Sequence, residues 1–384
     1  MKNDSINEYL QSRIDAKDFP SAVYLVAEKG EIIFQDALGF AVVEPERIKA
    51  RIDTIYDLAS LTKPLVTGLL CAKLIENGEI NLNDKISQYF SEFDTDEKRE
   101  ITIENLLTHT SGFEAWMPFY SGAVLPSSNE EILIKVIAQK ELLNSPNAKV
   151  VYSDLNFILL GFLIQRINAD YPIYFNTITH KDIFTPLGLQ QTRFNPRKDL
   201  KKEIAASEMG NEFEKQTCIE LGYQTEYEYF PFTPFRDYQI WGEVHDGNCY
   251  FMNGVSGHAG LFSTAEETFK IAQQFLPNYT KILKPETCEL FRTNFTKGLN
   301  EARSVAFQLA ETPESTASNA LSKDSFGHLG FTGTMLWIEP ETERVFILLT
   351  NRTHARELPF VNINSVRRRF NELATEELNK RSVN

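Results

Sequence analysis

β-Strand signals lie near both ends of this 384-residue chain, and helix signals lie between them. Residues 21–41 contain two β-rich apolar runs around a Lys-Gly turn, and residues 333–351 contain a second pair of such runs. Each pair predicts an antiparallel hairpin. Helical periodicity, in contrast, marks three stretches of the middle: residues 65–75, 130–139 and 155–167. The chain is therefore predicted to build a sheet from both of its ends.

We predict an α+β fold, an α/β sandwich in which helices flank an antiparallel sheet and a mainly helical region is inserted. The predicted sheet body comprises about residues 1–59 and 255–384, and the helical and loop region about residues 60–254. Both belong to one predicted domain of residues 1–384. A hydrophobic content of 42% is sufficient for a large core.

Charge and cysteine content narrow the possible partners. The formal net charge is −14, which disfavours nucleic acid as a partner because its phosphates are also negative. The four cysteines are widely spaced without a C-x-x-C pair, so neither a disulfide framework nor a zinc site is predicted. We expect no metal and no cofactor.

Hydropathy gives no sign of a membrane segment. No run of 18 apolar residues occurs, and the first twenty residues lack the apolar core of a signal peptide. The expectation is a cytoplasmic protein on the sequence as given, or an exported one from which a signal peptide was removed. The sequence does not predict an oligomeric state.

Ser60 and Lys63 lie three residues apart at the start of an apolar helical pattern. Residues at this spacing share one face of a helix. A partly buried lysine beside a serine can assist removal of the hydroxyl proton, which makes the serine oxygen a nucleophile. The alternative is structural: Ser60 caps the helix and Lys63 extends to solvent.

Two further short motifs carry groups suited to the same chemistry. Tyr152 precedes Asp154 at the start of the helix predicted over residues 155–167, where a phenol near a lysine is a plausible proton shuttle. His328 and Gly330 occur in a glycine-rich stretch before a strand, where small residues let a ligand approach the backbone. The structural alternatives are a capped strand-to-helix corner and a glycine bulge.

Together these motifs resemble the serine β-lactamase and penicillin-binding superfamily, most closely the class C β-lactamase-like esterases and D-amino-acid peptidases. Ser60-Leu61-Thr62-Lys63 matches Ser-x-x-Lys, Tyr152-Ser153-Asp154 matches Tyr-x-Asn, and His328-Leu329-Gly330 lies where the family has Lys-Thr-Gly or His-x-Gly. Secondary signatures support the resemblance at residues 106–113, 186–194 and 257–267.

The resemblance implies a serine hydrolase that cleaves an ester, amide or peptide bond through an acyl-serine intermediate. Ser60 would attack the carbonyl, with Lys63 and Tyr152 as the proton-transfer pair. The backbone N–H groups of Ser60 and Phe331 match the family's oxyanion hole, and His328 would contact the substrate and tune Tyr152. The partner implied is a small-molecule or peptide substrate.

Two residues depart from the family pattern. Asp154 replaces the usual asparagine, and a carboxylate so close to Lys63 is expected to keep the lysine protonated. His328 replaces a lysine, and if a change in its charge matters, activity is expected to change between pH 5 and 8. We therefore expect an esterase or peptidase rather than an efficient β-lactamase. The alternative function is a catalytically weak scaffold of the same fold that binds peptide or cell-wall fragments.

Three other histidines are also considered. We interpret His109 as structural and His258 as a turn residue that packs under the sheet. His245 and Asp246 are too close in sequence to form a metal pair, but their loop is a candidate wall of the pocket. The loops over residues 114–129 and 203–253 are expected to determine the substrate.

Overall fold

The computed structural model of the protein describes residues 1–120, 129–168, 172–223 and 235–382. Its strands are β1 (Ser21–Glu28), β2 (Glu31–Val42), β3 (Ile48–Lys49), β4 (Tyr56–Asp57), β5 (Phe262–Ser263), β6 (Gln308–Leu309), β7 (Phe326–Leu329), β8 (Met335–Glu339) and β9 (Arg344–Thr350). Its α-helices are α1 (Asp4–Asp15), α2 (Leu69–Glu76), α3 (Ile103–Leu107), α4 (Glu130–Ala138), α5 (Asp154–Ile167), α6 (Phe175–Thr179), α7 (Glu212–Glu220), α8 (Gly247–Phe251), α9 (Ala265–Ala272) and α10 (Asn364–Ser382).

Seven strands form one antiparallel sheet in the order β3-β2-β1-β9-β8-β7-β6. Strand β1 is flanked by β2 and β9, so that Val23 faces Ala37 on one side and Leu349 on the other. The early hairpin and the late hairpin are thus neighbours, as predicted from the two ends of the chain. The antiparallel sheet with flanking helices confirms the predicted α+β fold. Strands β4 and β5 form a separate two-stranded sheet.

Both faces of the central strands are buried. On β1, Tyr24 and Val26 belong to the core that α1 and α10 cover, whereas Val23 and Leu25 belong to the larger core on the opposite face. Successive strand residues point to opposite faces, so a strand covered on both sides needs an uninterrupted apolar run. The ring of Phe370 in α10 packs edge-on against Tyr24 at 5.9 Å.

The absence of a side chain at Gly257 lets the loop before β5 pack closely against α5. A Cβ atom on Gly257 would lie 2.2 Å from the backbone oxygen of Phe157 and 3.0 Å from Cα of Gly161, both in α5. Any side chain at residue 257 would therefore displace the loop from α5. His258, the next residue, is buried.

The structure also bears on the predictions about cysteines and membranes. All four cysteines lie in the described ranges, where they are buried and form no disulfide. Among the helices in those ranges, none combines the length and the apolar character needed to span a membrane.

Candidate active site

A tight turn, rather than a regular α-helix, brings Ser60 and Lys63 together. Ser60 lies in a 3-10 turn after β4, and Lys63 begins a π-helical turn that leads into α2. Ala59, directly before the serine, has φ of 48°, in a region that residues with side chains seldom occupy. The Asp57 carboxylate accepts a hydrogen bond of 2.9 Å from its N–H and so stabilises this conformation. Such local strain is common at functional sites.

Lys63 is fully buried and contacts three oxygen atoms. Its Nζ lies 3.1 Å from Ser60 Oγ, 2.7 Å from Asp154 Oδ1 and 3.1 Å from the backbone oxygen of His258. Burial by itself lowers the pKa of Lys63, but Asp154 and Tyr152 outweigh burial and raise that pKa above its ordinary value. Lys63 is therefore an ammonium at neutral pH, as expected from a carboxylate at residue 154.

Tyr152 faces the lysine, with its ring centroid 4.9 Å from Lys63 Nζ. Its hydroxyl is buried near Lys63 and Ser60 but does not meet hydrogen-bond geometry with either residue. Burial raises the pKa of Tyr152, and the nearby ammonium offsets this only in part. The free protein therefore holds a neutral phenol beside the serine.

His109 supports the segment that carries Tyr152. Its Nδ1 accepts a hydrogen bond of 3.0 Å from the N–H of Ser153, and its ring lies 4.5 Å from that of Tyr152. Burial, together with Arg303 and Lys63, holds the pKa of His109 well below its ordinary value. A neutral ring that packs under Tyr152 agrees with the structural role expected for His109.

Asp246 and His258 form a second layer behind Lys63 that the sequence did not reveal. His258 Nε2 lies 3.0 Å from Asp246 Oδ1, and its Nδ1 lies 2.7 Å from Ser256 Oγ. Burial opposes ionisation of Asp246, but His258 outweighs burial and holds the pKa of Asp246 well below its usual range. Side-chain bonds at both ring nitrogens hold His258 so that its carbonyl faces Lys63. His258 was predicted as a turn residue, and no motif signalled this role.

Asp154, Asp246 and His258 bring two carboxylates and an imidazole within 4.8 Å of one another. Such a group is a possible metal-ligand set. Here Lys63 already pairs with Asp154, and His258 with Asp246, so that each carboxylate has a partner. We interpret the group as an ion-pair network, and the absence of a metal remains a prediction.

His328 is buried on β7, next to the part of this strand that pairs with β6. Strand β6 pairs with Phe326 and Gly327, and the pairing stops before His328. Burial, then Lys63 and Arg303, hold the pKa of His328 well below its ordinary value. The premise that His328 changes charge between pH 5 and 8 is therefore wrong, because desolvation and neighbouring cations disfavour the imidazolium.

A cavity of about 930 Å³ joins these groups. Its lining contains every predicted site residue except Lys63, which contacts Ser60 from the protein side: Ser60, Tyr152, Asp154, His328, Gly330 and Phe331. His245 and Asp246 also line it, as their loop suggested. Trp116, Phe213 and Glu214 in the lining belong to the two loops expected to determine the substrate, whereas three lining arginines carried no recognisable sequence signal: Arg303, Arg352 and Arg367. They come from distant segments, so only folding brings them together.

Glu214 connects α7 to the rest of the cavity wall. It accepts hydrogen bonds from the hydroxyl of Tyr120 and, at 2.8 Å, from the N–H of Gly247. Burial and Asp246 raise the pKa of Glu214 to about 7. Both loops expected to determine the substrate thus contribute to the wall, although their residues 121–128 and 224–234 lie outside the described ranges.

Comparison with known proteins matches residues 6–365 to the family model described as Beta-lactamase. A protein of Salmonella typhimurium strain LT2 named "Putative D-alanyl-D-alanine carboxypeptidase" is 31% identical over 374 residues, which cover 91% of this chain and 82% of the relative. An Escherichia coli K12 protein of the same name is 29% identical over 372 residues, with the same coverage.

Solved structures share the fold. A β-lactamase/D-alanine carboxypeptidase from Pseudomonas syringae has a TM-score of 0.71 at 15% identity and covers 96% of this chain and 97% of its own. EstCE1, described as a hydrolase with promiscuous acyltransferase activity, has a TM-score of 0.70 at 19% identity with the same coverage.

Proposed function

The chain belongs to the Beta-lactamase family of serine hydrolases, and we propose that it cleaves an ester or a peptide amide through an acyl intermediate on Ser60. The observation that carries this proposal is the contact of 3.1 Å between Ser60 Oγ and the Nζ of a fully buried Lys63. Asp154 already neutralises this buried ammonium, so Ser60 is not needed to balance its charge. The position of this ammonium beside the serine hydroxyl of the Ser-x-x-Lys motif supports a catalytic role.

In acylation, Ser60 Oγ bonds to the substrate carbonyl carbon, and the bond to the leaving group breaks. Because Lys63 is held as an ammonium, it does not take the serine proton; it stabilises negative charge that develops on Ser60. Tyr152 is the proposed shuttle: its oxygen receives the serine proton while its own proton passes to the leaving group. In deacylation, water oxygen bonds to the acyl carbon and the bond from that carbon to Ser60 Oγ breaks, which releases the acid. The oxygen of Tyr152 receives the proton of the water while its own proton passes to Ser60 Oγ.

The oxyanion of the tetrahedral intermediate would be stabilised by the N–H groups of Ser60 and Phe331. Two hydrogen bonds hold the segments that carry these groups in a fixed relation. Thr332 Oγ1 donates to the backbone oxygen of Asp57 at 2.8 Å, and Thr334 Oγ1 donates to that of Leu58 at 3.0 Å. Donors held in place before the reaction need no reorganisation in the transition state, which favours catalysis.

The names of the relatives suggest the bond that is cleaved. Proteins named as D-alanyl-D-alanine carboxypeptidases and a hydrolase with acyltransferase activity share this chain's family or fold. We infer that the substrate is a peptide or an ester rather than a β-lactam, because His328 is neutral where strong β-lactam binders have a lysine. A scaffold that binds cell-wall fragments without cleaving them is the competing function.

The test uses two acylating probes, a fluorescent fluorophosphonate and a fluorescent penicillin. Each is incubated with the protein, and the adduct is located by intact mass and peptide mapping. We expect one adduct, on Ser60, absent from Ser60→Ala and retained in Ser91→Ala, a matched change at an exposed serine. Ser60→Ala should also lower ester hydrolysis on the order of 10³-fold or more. Folded protein that no probe labels would favour the scaffold instead.

A further inference from the structure

The side chain of His328 offers the cavity one hydrogen-bonding atom of defined character. Its Nδ1 lies 2.9 Å from the backbone oxygen of Leu329. A carbonyl oxygen only accepts hydrogen bonds, so Nδ1 must carry the proton. Because the ring is neutral, Nε2 has no proton and is an acceptor.

This Nε2 atom is buried and lacks a hydrogen-bond partner among the residues that the structure describes. The side chain is only 5% exposed, yet it belongs to the lining of the Ser60 cavity. A buried acceptor without a partner destabilises the protein, because it has lost its hydrogen bonds to water without replacing them. Such an atom in a cavity wall points to a ligand that supplies the missing donor.

The position of His328 relates this acceptor to the reaction. Its ring centroid lies 5.7 Å from that of Tyr152, which in turn lies beside Ser60 and Lys63. The nucleophile and His328 are thus both neighbours of Tyr152. Because Tyr152 passes its proton to the leaving group in the proposed reaction, a group beside His328 would lie on the leaving-group side of the scissile bond.

The cationic groups around His328 disfavour protonation of its Nε2, so this atom does not become a donor. Lys63, Arg303 and Arg367 all act on the ring, and all are cationic. Protonation would place a fourth positive charge among them in a desolvated site. His328 therefore differs in kind from the lysine of the family pattern, which only donates.

Resting on the proposed function, we propose that His328 is a specificity-determining residue whose Nε2 accepts a hydrogen bond from an amide N–H or a hydroxyl next to the scissile bond. A carboxylate at that place would repel Nε2, because both groups only accept hydrogen bonds. A methyl ester would leave Nε2 without a partner. The substrate class is thus one with a neutral donor close to the leaving group.

Three matched compounds test the inference: N-acetyl-D-alanyl-D-alanine, its C-terminal amide and its C-terminal methyl ester. They differ only in the terminal group, which is a carboxylate, a donor, or neither. Each is measured as a substrate and as an inhibitor of p-nitrophenyl acetate hydrolysis, so that binding is measured even without turnover. The proteins are wild type, His328→Lys, His328→Leu and the exposed control His180→Gln.

For the wild type and the control, we expect the amide to bind about tenfold or more tightly than the other two compounds, because a polar site discriminates strongly against an analogue that leaves it unpaired. His328→Leu should remove the preference for amide over methyl ester, and His328→Lys should favour the carboxylate. Arg352 and Arg367 are common to all four proteins, so their attraction for carboxylates does not affect the comparison between variants.

Equal ranking of the compounds in wild type and His328→Lys would overturn the inference, as would failure of all three to bind. Long-range ¹⁵N–¹H correlation spectra provide a direct check of its premise, because they report which ring nitrogen carries the proton. A proton on Nε2 would also overturn it. Failure of the proposed function is distinguishable, since it would appear as loss of probe labelling at Ser60 in every protein.

Discussion

Replacement of Asp154 by asparagine should destabilise the protein, because the buried ammonium of Lys63 would lose its carboxylate partner. Asp154 lies 2.7 Å from Lys63, whose side chain is wholly inaccessible to solvent. Removing one partner of a buried ion pair typically costs about 3–5 kcal/mol, because the remaining charge stays desolvated. This destabilisation has an upper limit, because Lys63 can lose its proton instead of remaining a buried charge. Deprotonation of a lysine of pKa about 10.4 at pH 7 requires roughly 4.6 kcal/mol. Asp246 remains close to the ammonium and favours the lower end of that range.

The destabilisation by Asp154→Asn should depend on pH. In the wild type the folded-state pKa of Lys63 is raised, so the paired ammonium stabilises the folded state. This stabilisation is complete below about pH 10.4 and is lost only at higher pH. In the variant, burial lowers that pKa, and the folded state binds fewer protons than the unfolded state up to about pH 10.4. Stability of the variant should therefore rise with pH, and the difference should fall to about 1 kcal/mol near pH 10.

Equilibrium urea unfolding at pH 7 and pH 10 measures this difference. Asp182→Asn is the matched control, because Asp182 pairs with a partly exposed Lys73 at 3.1 Å and should contribute less than about 1 kcal/mol at either pH. In a Lys63→Met background, Asp154→Asn should have little effect. The same loss at both pH values, or in that background, would refute the reasoning.

Four further outcomes are expected. Tyr152→Phe should lower kcat on the order of 10²–10⁴-fold with a smaller change in KM, measured by stopped-flow acylation; an unchanged kcat would exclude a shuttle. His328→Gln should leave the shape of the kcat/KM profile between pH 5 and 8 unaltered, because the pKa of His328 lies well below that window; an inflection near pH 6.5 that the variant lacks would contradict this. Because the pKa of Glu214 is raised to about 7, the folded state favours its protonated carboxyl, and this proton binding stabilises the protein. That stabilisation is complete below about pH 4.3 and is lost as pH rises through 7. The gain in stability from Glu214→Gln should therefore grow by about 2–3 kcal/mol from pH 5 to 8 in urea unfolding, and a constant gain would argue against it. Gly257→Ala should cost about 1–3 kcal/mol because its Cβ would meet the Phe157 backbone oxygen, and thermal unfolding measures the change.

Both hairpins were predictable because their signals are local. Strand β1, buried on both faces, shows an almost uninterrupted apolar run, and the turn before β2 shows lysine and glycine, so this hairpin is marked within the segment itself. The identities of Ser60, Lys63 and Tyr152 were likewise visible as short motifs. The effect of Asp154 on Lys63 was predictable too, because two residues of the family motifs were already expected to lie close together.

Charge states and distant contacts depended on the folded chain. The sequence alone suggested a histidine at residue 328 that titrates near neutral pH, but burial and three cations arriving from separate segments keep it neutral. The carbonyl of His258 reaches Lys63 from 195 residues away, and Glu214 joins the wall through Tyr120 and Gly247. The sequence by itself determined which groups can react. Only the tertiary structure decided which of them carry a proton, because a pKa depends on desolvation and on charges that no local pattern records.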